Sequence, residues 1–266
     1  MRTKSISFII GTILMSSLAN ANTYFNDGAY HLINYVIDDA VYVDQETPGV
    51  GTHIEVTAGG GIAPGQGYGY IASYGNSHVT ISGGTLGWSL WCNDYSTATV
   101  NNSSYIRGEL ATSGYANVTL GDSVVRLGTV ALDHSVIHTT DGSIGNTLEL
   151  RDQARVFWSG GVDSGKIMSG GAGSTTDTCL LTCIGNNFTV NGMAIAYGQS
   201  VSDYASPGTY SGYACLTGYI TGTLSNGDTL NNSFYIFPGS DIVVVPEPAT
   251  LLLLGLGAVM LRRKRS

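Results

Sequence analysis

One short pattern recurs along the middle of this chain. Two apolar residues flank a single residue, a polar turn follows, and then comes a second short apolar group. Val79-Thr80-Ile81-Ser82-Gly83-Gly84-Thr85-Leu86 is the clearest copy. Ala98-Thr99-Val100, Val118-Thr119-Leu120, Val130-Ala131-Leu132 and Leu148-Glu149-Leu150 each lead to the same kind of second group. Ile54-Glu55-Val56 reads as an outlying first copy. Counted on Ile81, Val100, Leu120, Leu132 and Leu150, the copies lie 19, 20, 12 and 18 residues apart. A strand, a tight turn and a second strand at this period signal a solenoid, because one repeat cannot bury its apolar face without neighbours. The expected fold is all-β: a short right-handed parallel β-helix (β-solenoid). The 12-residue interval is a defect, a missing turn or a misplaced copy. An antiparallel sandwich, which also shows short strands at 8–12-residue spacing, stays open as the alternative.

Composition agrees with many corners. The chain has 37 Gly and 16 Tyr, and only 11% charged residues, against about 25% in ordinary soluble domains. Gly, Asn and Asp recur at the turns (Gly83, Asn102, Asp122, Asp133, Asp152), where they tolerate left-handed backbone geometry. Residues 174–244 read as a C-terminal β cap, with Asn226-Gly227 as a hairpin signal. Residues 22–50 read as an N-terminal cap segment and 51–173 as the repeats.

The two ends carry addresses. Arg2 and Lys4, an apolar stretch from Ile6 to Leu18, and Ala19-Asn20-Ala21 form the three parts of a signal peptide over residues 1–21, a signal helix with cleavage at Ala19 and Ala21. At the other end Pro246-Glu247-Pro248 precedes an apolar run, Leu251–Leu261, and the cluster Arg262-Arg263-Lys264-Arg265. That order is a stop-transfer tail: a short transmembrane helix held by a basic cluster on the cytoplasmic side. Proline makes the tripeptide extended and accessible to a processing enzyme.

These residues, 245–266, resemble the PEP-CTERM sorting signal. The resemblance implies export in a Gram-negative bacterium, transient anchoring in the inner membrane, and processing at Pro246, Glu247 and Pro248 by an exosortase-type enzyme. It also implies a place at the cell surface or in the exopolysaccharide or biofilm matrix, with extracellular polysaccharide as a partner. The same tail is attached to many unrelated bodies, so it gives an address and not an activity.

Charge excludes one class of partner. Five basic side chains remain between residues 22 and 245, against 18 acidic ones, a net of −13. No basic patch is expected, so nucleic acid is not a partner.

Four cysteines in an exported chain, Cys92, Cys179, Cys183 and Cys215, favour disulfides, with free thiols and a metal site as alternatives. His134 and His138 would lie about 13 Å apart on a strand, too far to share a metal. Asp38, Asp39, Asp44 and Glu46, and the turn aspartates, offer oxygen for Ca²⁺, but turn propensity explains them equally well. Trp88, Trp91, Tyr95 and Trp158 could stack on sugars. No triad spacing, carboxylate–Arg–Lys constellation or metal motif stands out, so no enzyme and no cofactor are expected. The leading expectation is an exported structural protein. A carbohydrate-binding module and a polysaccharide lyase or hydrolase are the alternatives.

Overall fold

A computed structural model describes residues 22–62 and 69–247. The expected signal helix with Ala19 and Ala21, Pro248, the expected transmembrane helix and Arg262–Arg265 lie outside the described residues. Within them the protein is all-β, with one short 3₁₀ turn at Val201–Tyr204. No helix among the described residues is long and apolar enough to cross a membrane.

The strands fall into three parallel ladders that the chain visits in turn. Ladder I holds His53–Thr57, His78–Ser82, Thr97–Asn101 and Asn117–Leu120, among others, with Ile54, Val79, Ala98 and Val118 in register. Ladder II holds Val36–Ile37, Gly61–Ile62, Thr85–Leu86, Ser104–Ile106 and Ser123–Val125. Ladder III holds Val41–Val43, Ile71–Ser73, Leu90–Cys92, Glu109–Thr112, Gly128–Ala131, Thr147–Leu150 and Lys166–Ser169. Each circuit returns the chain one strand spacing along, about 4.8 Å, which is consistent with the expected stacked coils. Alternate residues face inward, so every rung adds aliphatic side chains to one continuous core.

The 12-residue interval is a change of ladder. Val130 and Ala131 pair with Ala111 and Thr112 in ladder III, and Leu150 follows Ala131 there. The ladder I partner of Leu120 is Thr139, followed by Trp158. Both ladders carry the same alternation, so the pattern alone does not distinguish them. Ile54–Val56 does pair as an earlier copy of Val79–Ile81. A still earlier rung, Tyr30–Ile33, joins it.

The corner between ladders III and I shows why aspartates recur. Gly75, Asp94, Gly114, Asp133 and Asp152 all have φ between 56° and 66°. The carboxylates of Asp94, Asp133 and Asp152 accept the backbone N–H of Gly75, Gly114 and Asp133, at 3.2, 2.8 and 3.3 Å. Each thus bonds the previous turn, a role that needs no metal. The corner after ladder II is as tight: a Cβ on Gly145 would lie 2.0 Å from the Arg126 carbonyl oxygen.

Near the C-terminus the pairing turns antiparallel. Tyr213–Leu224 pairs with Ser206–Tyr210 and with Thr229–Ile236, the latter as the hairpin expected at Asn226-Gly227. Thr229–Ile236 also adds to ladder III, beside Lys166–Ser169. The final strand, Asp241–Val245, returns to ladder I against Leu180–Ile184.

Candidate functional site

The outward side of ladder III holds most of the chemistry. Tyr24, Tyr42, Ala72, Trp91 and Ala111 share one outward column. Tyr24 stacks on Tyr42 at 4.9 Å and Tyr70 on Trp91 at 4.6 Å. The hydroxyls of Tyr42 and Tyr70 hydrogen-bond each other. Partial burial and that bond push the Tyr70 hydroxyl up to about 12. At the adjoining corner Tyr95, Tyr115 and His134 form a second stack, at 5.2 and 4.8 Å with nearly parallel planes. Rings stacked along the coil axis cover one another's faces and show their edges to solvent. Each pair adds about 0.5–1.5 kcal/mol beyond its buried area, so these stacks first of all staple one rung to the next.

The four aromatics read as sugar platforms therefore separate. Trp91 and Tyr95 are exposed but engaged in stacks. Trp88 is half-buried. Trp158 is a core residue whose Nε1 donates to the Gly161 carbonyl at 3.3 Å.

Farther along the same face lies a cleft of about 630 Å³. The fold here gathers Glu149, Arg151, Lys166, Asp177 and Tyr210, which lie up to 61 residues apart in sequence. Arg151 pairs with Glu149 at 2.6 Å. Lys166 donates to the Tyr210 hydroxyl at 2.6 Å and lies 4.4 Å from its ring centre. Asp177 accepts the Gly171 N–H at 2.6 Å. Sequence reasoning missed this grouping, since Tyr210 comes from the antiparallel segment and no local spacing points to it. Of these charged groups only Glu149 and Arg151 pair with each other; Lys166 is held by a tyrosine hydroxyl and Asp177 by a backbone N–H, and Asp152 also lines the cleft.

The remaining candidates stay apart. His134 lies at a corner, whereas His138 stacks on Phe157 at 5.0 Å. No group of three metal-ligating residues exists among the described residues.

The expected disulfides are not formed: Cys92, Cys179, Cys183 and Cys215 are free and buried. Cys92 lies in ladder III level with Ser73 and Thr112, four rungs from Ser169, whose hydroxyl touches the Cys179 sulfur. Four rungs are about 19 Å, far beyond disulfide reach. Cys179 and Cys183, four residues apart along one extended segment, are also too distant to bond. Burial pushes the Cys92 and Cys183 thiols up to about 12, and Cys179 and Cys215 upward too. Thiol titration should find almost none reactive in the native protein and four after unfolding without reductant. Two or fewer after unfolding would show a bond.

Pro246 and Glu247 follow the final strand without a linker. Both are half-buried, and Asn186 Nδ2 donates to Glu247 Oε1 at 3.4 Å.

The family model of the PEP-CTERM protein-sorting motif matches residues 244–265, beginning inside that strand. No curated protein and no solved structure matches the chain. The chain thus carries the sorting motif expected from its tail, on a body for which these comparisons offer no counterpart. The motif implies an exported protein, anchored in a membrane and then processed by an exosortase.

Proposed function

We propose that this protein is a structural component of the cell surface or exopolysaccharide matrix of a Gram-negative bacterium. Its body is a short right-handed β-solenoid closed by the antiparallel segment, and exosortase processing delivers it. The observation that carries the reading is the sorting motif joined directly to the last rung of an all-β body. The stacked aromatics support a structural role, because their rings are engaged with one another from rung to rung. A carbohydrate-binding role is the second reading, favoured by the exposure of Trp91 and Tyr95, whose ring edges stay open to solvent. Mass spectrometry of fractionated cells tests the proposal. A matrix or surface fraction lacking residues 1–21 and the C-terminal tail is expected, and an intact chain in the cytoplasm would end it.

The junction adds a kinetic expectation. Val244 and Val245 are paired with Cys183 and Ile184, and Val244 is fully buried. Only residues 246–250 separate that strand from the apolar run, a reach of about 17 Å at most. A processing enzyme must work against the folded edge or peel it. Ten Gly/Ser residues inserted between Val245 and Pro246 should speed processing severalfold in a pulse-chase. An unchanged rate would show that the final strand is not in the way.

A further inference from the structure

Ladder II carries an open groove of about 660 Å³ where it meets both of its corners. Val36, Gly61 and Thr85 line it on successive rungs, with Tyr105 beside them and Arg107 and Arg126 along one edge. Ile106 pairs with Val125, so Arg107 and Arg126, the next residues, stand on adjacent rungs about 4.8 Å apart. Both arginines are exposed, neither has an acidic partner, and no carboxylate lines the groove among the described residues. Among the described residues only Arg151 of the five cations between residues 22 and 245 has a carboxylate partner, and what sets Arg107 and Arg126 apart is that they stand on neighbouring rungs. Arg107 and Arg126 are two of only five cations between residues 22 and 245, where 18 acids are available to neutralise them. Two guanidiniums side by side repel, and an oxyanion held between them removes that repulsion while accepting charge-assisted hydrogen bonds. The Tyr105 ring is half-buried, stacks on no other described ring, and stands in its column between Thr85 and Val124.

We infer that this groove binds a glycan through a single carboxylate-bearing sugar. Arg107 and Arg126 hold the carboxylate, and Tyr105 packs against the C–H face of the same ring. The overall charge sets the limit of one charged sugar, because a body of net −13 repels a dense polyanion. The inference rests on the matrix reading and names the ligand class, but its test is independent of where the protein is found.

The test is calorimetric titration of the processed protein with a trisaccharide carrying one glucuronate, with its carboxyl-reduced counterpart, and with inorganic phosphate. The glucuronate probe should bind at least about tenfold more tightly than the reduced one. Arg107→Gln and Arg126→Gln should each cost about tenfold, from charge-assisted bonds of about 1.5 kcal/mol, and Tyr105→Ala should cost several-fold. Equal binding of the reduced sugar, no loss in the arginine variants, or no binding at millimolar concentration overturns the assignment. Phosphate binding as tightly as the trisaccharide overturns the sugar part, because the site would then read a bare anion. The reduced probe decides the question on the unaltered protein should a variant misfold. Failure here leaves the export reading intact, since fractionation tests that separately.

Discussion

Trp158→Ala should lower stability by about 3–5 kcal/mol, the usual cost of emptying a large aromatic site in a core. Trp158 is 1% exposed and sits inward on ladder I between Thr139 and Cys183. Its indole N–H satisfies the Gly161 carbonyl in a segment where ladder I is interrupted by register shifts near Thr140. Truncation leaves a cavity, and the carbonyl loses its partner at a further cost of about 1 kcal/mol. For a body of this size each kcal/mol moves the melting midpoint by about 2–4 °C, so a fall of about 10 °C is expected. Tyr95→Ala is the contrast. Tyr95 is 61% exposed and its stack on Tyr115 adds about 1 kcal/mol, so its midpoint should fall by only a few degrees. Equal shifts in the two variants would contradict the assignment of Trp158 to the core and Tyr95 to the surface.

That pair of residues also shows what the sequence could and could not disclose. The alternation around Ile81, Val100 and Leu120 was legible because inward and outward positions differ in polarity at every rung. The hairpin at Asn226-Gly227 was legible because its turn chemistry is local. Ladder identity was not, since Ala131 and Leu120 occupy equivalent alternating positions in different ladders. Nor was the burial of Trp158, which stands in a strand as Trp91 does and differs only in which side of the coil it faces. The charged cleft depends on Tyr210 meeting Lys166 across 44 residues. The groove depends on Arg107 and Arg126 falling on adjacent rungs, which follows from the 19-residue spacing once the ladder is known. In this fold chemistry assembles along the stacking axis, so the informative interval is the coil length rather than any short motif. The sorting motif is the exception, because it is a contiguous stretch, residues 244–265.

The second large effect concerns Asp163. Ladder II stacks Ile37, Ile62, Leu86, Ile106, Val125 and Ile144 inward, and the next residue in that column is Asp163. It is 6% exposed, one carboxylate oxygen accepts the Gly165 N–H at 2.8 Å, and the other has no partner. Burial beneath an aliphatic column disfavours the charged form and raises its pKa from 3.8 to about 6, with the Gly165 bond opposing the shift. Between about pH 4 and 6 the native protein therefore holds a proton that the unfolded chain releases. Stability falls as pH rises through that window, and the loss is complete above the folded pKa. A shift of about two units corresponds to about 3 kcal/mol. Asp163→Asn keeps an acceptor for Gly165 and cannot ionise. It should raise stability by about 1–3 kcal/mol at pH 7.5 and leave it unchanged or slightly lower at pH 4. Urea unfolding of both proteins at the two pH values measures this, and their difference cancels the titration of the exposed carboxylates. A gain for Asp163→Asn that is the same at both pH values would mean that the carboxyl is ionised or neutral throughout. In the ionised case the end of the aliphatic column would be wetter than its geometry indicates.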